Sequence, residues 1–270
     1  MKRPLANTVT CNDGEYSCSI SQWVQIITIM PSVKLSVEDR MKRLLPAGLY
    51  YPYKIRREAR GAEPELAILH DIVPVGCTAI DIGANRGYYS WALASIAARV
   101  EAFEPNPILA DFARAKLGTK VRLHKVALSN REGTAILYVP RTRRGASLHI
   151  IGNLGDVYAR DGVDEIEVRL AALDTYGLTN VGFIKIDVEG SEMEVIAGAR
   201  RTILANRPKM LIELLAGIYG DVAARIEKIK TDFGYNAWIV IGRQKVDAKL
   251  ALAESEFARK TSNVLFTPNL

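Results

Sequence analysis

From Thr78 onward the chain alternates short apolar runs with stretches of helical period, and this rhythm leaves few folds open. Thr78 to Ile82 reads as a strand feeding a turn at Gly83. Tyr88 to Ala98 reads as a helix, Val100 to Phe103 as a second strand, and Val121 to Ala127 as a third. Between the last two, Asn106 and Pro107 form a helix start, with Asn as cap and Pro in the first turn. Val181 to Val188 is a strongly apolar strand, followed by a helix from about Ser191 to Ala205 and a strand from Lys209 to Leu214. Asp221 caps a helix in which Val222, Ile226, Ile229 and Phe233 share one face. Asn236 to Ile241 and Asn263 to Thr267 supply a final antiparallel pair. Such alternation predicts an α/β fold: a doubly wound, mostly parallel, seven-stranded sheet with helices on both faces. Ligands of such sheets sit at the carboxyl ends of the strands.

Two stretches break the rhythm. Residues 1 to 60 read as an N-terminal extension, leaving 61 to 270 as the main domain. Residues 133 to 170 read as a β insertion, with strands at Thr134 to Val139 and Ile166 to Leu170. Long insertions of this kind often carry part of a substrate site. The apolar run from Trp23 to Met30 is too short to span a bilayer, so we expect no transmembrane segment. The three cysteines, Cys11, Cys18 and Cys77, lack metal-ligand spacing and suit a reduced cytoplasm. A net charge of +6 is mild, and a solvated basic surface accounts for it without a nucleic-acid partner.

The first strand ends Asp81-Ile82-Gly83-Ala84-Asn85-Arg86-Gly87, and the second ends Phe103-Glu104-Pro105-Asn106. Gly83 permits a sharp turn, and Gly87 lets the next helix begin close to a ligand. Glu104 can accept hydrogen bonds from both hydroxyls of a ribose. A nicotinamide cofactor would need bare amides for its pyrophosphate, and Asp81 stands where its first glycine belongs. A carboxylate repels pyrophosphate but suits the ammonium and sulfonium of S-adenosyl-L-methionine. Asp81, Gly83, Asn85, Gly87, Glu104 and Pro105 are therefore the expected donor site. Ala127 and Leu128, at the third strand's end, are the expected adenine contact, although both suit a core equally well.

Three segments resemble the FkbM-type methyltransferases. They are Asp81 to Gly87 with Glu104-Pro105-Asn106, then Val126 to Gly133, and then Phe183-Ile184-Lys185-Ile186-Asp187-Val188-Glu189-Gly190-Ser191-Glu192 with Arg207-Pro208 and Ile212-Glu213-Leu214. The likeness runs from about Ile72 to Pro268. It implies a Rossmann-like class I methyltransferase using S-adenosyl-L-methionine. By analogy it also implies O-methylation of a bacterial sugar, a glycolipid or lipo-oligosaccharide, or a secondary metabolite.

Methyl transfer needs an acceptor oxygen held near the methyl carbon and help in removing its proton. Asp187 is expected nearest the methyl group, in contact with the donor, and Glu189 or Glu192 positions the acceptor. Both glutamates also suit a helix start on electrostatic grounds alone. Lys185 is placed to pair with one of these carboxylates, and Glu213 to reach the cleft. His149, in Gly145-Ala146-Ser147-Leu148-His149, is a candidate general base, with a solvated loop histidine as the plainer alternative. Arg141, Arg143 and Arg144 would either meet an anionic acceptor or form a solvated charge run. No metal is expected.

The expected partner is a small-molecule or glycan acceptor with a free hydroxyl. Residues 1 to 60 would cover the acceptor site or pair two chains into a homodimer. An RNA or DNA methyltransferase is the first rival, opposed by the acidic turn after the fourth strand, which repels phosphate. A dehydrogenase is opposed by Asp81. A non-catalytic binding module on the same fold is opposed by the intact Asp81, Gly83, Gly87 and Glu104.

Overall fold

The computed structural model describes residues 45–61, 63–140, 163–214, 221–253 and 263–269. Residues from Pro46 onward form one compact unit. Its first element is a helix, α1 (Ala47–Ala59), followed by a 3-10 turn (Pro64–Ile68) and a short helix, α2 (Leu69–Ile72). Then come β1 (Thr78–Ile82), α3 (Tyr88–Ala94), β2 (Arg99–Phe103), α4 (Pro107–Lys116) and β3 (Val121–His124). A small β unit follows: β4 (Ala127–Leu128), β5 (Gly133–Pro140) and β6 (Val163–Ala171). The alternation resumes with β7 (Val181–Ile186), α5 (Glu192–Gly198), α6 (Arg200–Asn206), β8 (Lys209–Glu213) and α7 (Val222–Phe233). It closes with β9 (Tyr235–Ile241), β10 (Gln244–Asp247), α8 (Ala248–Ala253) and β11 (Asn263–Pro268).

The main sheet has eight strands in the order β10-β9-β11-β8-β7-β1-β2-β3. Its five members from β8 to β3 run parallel, and β11, β9 and β10 are joined antiparallel. One strand exceeds the expected seven: β10 folds back on β9 across Gly242, whose φ is +63°. The sheet separates two apolar layers with the two-residue period of strands. Ile80, Ile82, Ile184, Ile186, Met210, Ile212, Val264 and Phe266 face α5, α6 and α7. Ala79, Phe183, Leu211 and Leu265 face Tyr89 and Leu93 of α3 and the residues around α2. No helix among the described residues is long and apolar enough to cross a membrane.

Several boundaries depart from the sequence expectation. The third strand stops at His124, and Ala127 and Leu128 leave it to pair with Leu170 and Ala171 of β6 in a separate three-stranded sheet. The helix expected from Ser191 to Ala205 breaks at Ala199, where φ is −107°. Gly198, the last residue of α5, lies close against the chain after β4: a Cβ there would lie 1.9 Å from the Ser129 carbonyl oxygen. The helix after β1 ends at Ala94, four residues early. Trp23 to Met30, His149, Arg141, Arg143 and Arg144 lie outside the described residues.

β1 sits between β7 and β2, so the chain leaves it in both directions. That reversal opens a crevice at the carboxyl ends of these strands. Gly83, Glu104 and Asp187 stand there, one after each strand.

Candidate functional site

A cavity at these strand tips is lined by Gly83, Asn85, Glu104, Pro105, Ala127, Leu128, Asp187 and Glu189 of the expected residues. Its apolar wall is Phe103, Leu109, Val126, Leu128 and Leu137. Its other described carboxylates are Glu63 and Glu213, and no Lys or Arg is among its described lining residues.

The turn after β1 is built for close approach. Gly83 has φ +81°, and a Cβ there would lie 1.7 Å from the Asp187 carbonyl oxygen. The Asp187 amide donates to the Ile82 carbonyl at 2.9 Å, so the two strand ends are tied together. Asn85 follows with φ +50°, a conformation Asn tolerates better than most residues. Its amide donates to Glu104 Oε2 at 2.7 Å, while the Asn106 amide donates to Glu104 Oε1 at 2.8 Å. Glu104 is thus clamped with one backbone donor on each oxygen, and each oxygen keeps a lone pair for a further donor. Burial pushes its pKa up to about 7 against the pull of those two amides, with Asp81 and Asp187 adding to the rise. The Asn106 side chain meanwhile caps α4, accepting from the Ile108 amide at 3.0 Å, and Pro107 opens the helix as expected.

After β7, Asp187 and Glu189 share the cavity wall with Glu213 of β8. Burial, and then the Glu213 carboxyl, raise the Asp187 pKa, and the Lys185 ammonium opposes that rise. Glu189 rises further, to about 9, through burial and the neighbouring charges of Asp187 and Glu213. Its backbone sits at φ +52°, a left-handed conformation that a glutamate adopts at a cost of about 1 kcal/mol or more.

Other expected residues lie elsewhere. Asp81 is only 1% exposed and does not line the cavity; its Oδ2 accepts from Ser90 Oγ at 2.5 Å. The cause is strand alternation: Asp81 falls on the α3 face, opposite Ile80 and Ile82. Burial raises its pKa to about 6. Gly87 has φ +82° and admits α4 rather than a ligand: a Cβ would meet Leu117 Cδ1 at 2.9 Å. Glu192 is 1% exposed beneath the turn, where Oε1 accepts from the Gly190 amide at 2.6 Å and Oε2 lies 3.6 Å from Arg225 Nη1.

Sequence reasoning missed Glu63 and Tyr88, whose side chains hydrogen-bond to each other on the cavity wall. Nothing local announces them, because Glu63 reaches the cavity from the segment before β1. The residues fit a cationic nucleoside: a clamped carboxylate for the ribose, an apolar wall for the base, and carboxyls whose crowding a positive charge relieves. The space itself depends on Gly83, since a Cβ there would collide with the Asp187 backbone.

The family described as Methyltransferase FkbM domain matches residues 81–236. The AMB antimetabolite synthetase AmbE of Pseudomonas aeruginosa is 28% identical over 196 residues, covering 58% of this chain and 9% of that protein. The chain therefore spans a small fraction of that relative's length. Methyltransferase FkbM from Methylobacillus flagellatus has a TM-score of 0.46 and 15% identity, with 92% of this chain and 60% of that chain covered. A TehB-like SAM-dependent methyltransferase from Corynebacterium glutamicum has a TM-score of 0.39 and 16% identity, with 81% and 96% covered.

Proposed function

The chain belongs to the FkbM methyltransferase family, whose methyl donor is S-adenosyl-L-methionine, and from that premise we propose that it methylates a hydroxyl oxygen of a sugar, glycolipid or small secondary metabolite. The observation that carries this reading is the meeting of Glu104, Asp187, Glu189 and Glu213 with an apolar wall in one cavity. When bound, the donor supplies a methyl group activated on a sulfonium. Glu104, fixed by the Asn85 and Asn106 amides, takes the ribose hydroxyls. Phe103, Leu109, Val126, Leu128 and Leu137 exclude water from the adenine. Asp187 supplies the negative charge opposite the donor's cationic end.

Glu189 takes the acceptor's proton. Its pKa of about 9 is too high for a base at neutral pH in the free protein. A cation alongside lowers it toward the working pH, where a general base is most effective. The acidic wall also disfavours a phosphate backbone, which supports a neutral hydroxyl acceptor over RNA. A relative named as an antimetabolite synthetase is in keeping with a small-molecule acceptor. We read the compartment as the cytoplasm from the sparse cysteines.

The test is incubation with isotopically labelled donor and a panel of sugars, glycolipids, hydroxylated metabolites and ribosomal RNA, read by mass spectrometry with fragmentation. Label on an acceptor oxygen is expected, as is a loss of about 100-fold or more in kcat for Glu189→Gln with donor affinity nearly unchanged. Label on a base nitrogen of RNA would refute the reading.

A further inference from the structure

Lys185 is a charge in the middle of a sheet. It lies on β7 between Asp81 of β1 and Leu211 of β8 in register, and is 1% exposed. Its Nζ donates to Asn263 Oδ1 at 3.0 Å, lies 3.7 Å from Asp187 Oδ2, and sits 5.2 Å from the centre of the Tyr89 ring. An ammonium this enclosed is costly unless its neighbours repay the lost water. Here they do: burial works against the charge, but Asp187, Glu213, Glu63 and Asp81 outweigh it and raise the Lys185 pKa. A buried cation held in place on three sides, one of them an oxygen of a cavity-lining carboxylate, is more than packing requires, since an aliphatic side chain would fill the same space more cheaply.

We propose that Lys185 is a positioning residue for methyl transfer: its ammonium, 3.7 Å from Asp187 Oδ2, draws that carboxyl toward the sheet and favours its ionised form, the form that can meet the donor's cationic end. Asn263, on the neighbouring end of β11, fixes the ammonium in turn. Asp187 needs this help because the groups around it are overwhelmingly acidic. It faces Glu213 from β8, Asp81 from β1, Glu104 from the tip of β2, Glu189 from its own turn, Glu192 from the start of α5, and Tyr88 from α3. Against that crowd Lys185 sets one positive charge, 3.7 Å from Asp187 Oδ2. Without it, the cheapest response of the crowd is for Asp187 to take up a proton, and the donor would lose its counter-charge.

The proposal rests on the reading of Asp187 as the donor's counter-charge, but its first measurement needs neither donor nor acceptor. The carboxyl carbon of Asp187, assigned by comparison with Asp187→Asn, is followed by NMR through a pH titration of the free protein. In Lys185→Met the apparent pKa of Asp187 rises by about one unit or more. In Asn263→Asp, which places a second carboxylate on the same ammonium, it rises by less. Donor affinity measured by calorimetry then loses its acid limb at correspondingly higher pH in both variants. If Lys185→Met does not fold, Asn263→Asp decides alone. A folded variant of either kind whose Asp187 titrates as in the wild type overturns the proposal, because a merely structural lysine would change stability and leave that titration where it was. If Asp187 shifts as expected but the wild type binds no donor, the methyl-transfer reading fails and the Lys185–Asp187 coupling stands.

Discussion

Gly83 and Asp187 come closer together than any side chain at Gly83 would allow. A methyl group there would lie 1.7 Å from the Asp187 carbonyl oxygen, and the residue already has a positive φ. Gly83→Ala therefore suffers twice, through overlap with backbone and through a left-handed alanine. We expect a cost on the order of 3 kcal/mol or more, read as a fall in Tm of roughly 6 to 12 °C. Donor affinity falls as well, because relief of the overlap moves the turn that carries Asp187 and Glu189. An unchanged Tm would mean that the strand ends are less tightly joined than the Asp187 amide bond to Ile82 indicates.

At the scale of elements, the start of α4 ties local structure to the site. The Asn106 side chain caps the helix while its own amide holds Glu104. Asn106→Ala removes the cap and keeps the amide. The expected cost is about 1 kcal/mol of stability, visible as a fall of a few degrees in Tm, with donor affinity within about tenfold of wild type. A much larger loss of affinity at an unchanged Tm would assign the side chain a direct role in binding. This cap was legible in the sequence because Asn-Pro before an apolar run is a local signal. So were the strands at Thr78, Val181 and Lys209, whose periods are local too. Less legible was whatever depends on distant chain. Ala127 and Leu128 continue an apolar run, yet they join β6 because their partners lie more than 40 residues away. Asp81 carries the right chemistry at the right strand tip, but a sequence pattern does not say whether a carboxylate there reaches into the crevice or back to Ser90. Glu63 and Tyr88 come together across 25 residues with no motif to mark them.

For the molecule as a whole, crowded carboxyls set a pH dependence opposite to that of a protein rich in surface ion pairs. Glu104 has a folded pKa near 7 against an ordinary value of 4.5. The folded chain therefore keeps a proton that the unfolded chain has released, and stability falls as pH rises through that window. Glu189 extends the same trend to higher pH. The Tm of the free protein is expected to fall between pH 6 and pH 8, with a shallower slope in Glu104→Gln. S-adenosyl-L-methionine should flatten the fall, and S-adenosylhomocysteine, which lacks the sulfonium charge, should flatten it less. Equal flattening by the two would remove the electrostatic explanation. The placement of β11 has a different consequence. This strand is late in the sequence but interior in the sheet, wedged between β8 and β9. A chain emerging from the ribosome lays down all the parallel strands and the β9–β10 hairpin before the piece that joins them exists. Until it arrives, β8 offers an open edge to any passing strand, and the lysine amine at the sheet's centre has no amide to hold it. Closing the sheet and seating that lysine are thus one event, set by a strand made after both of its neighbours.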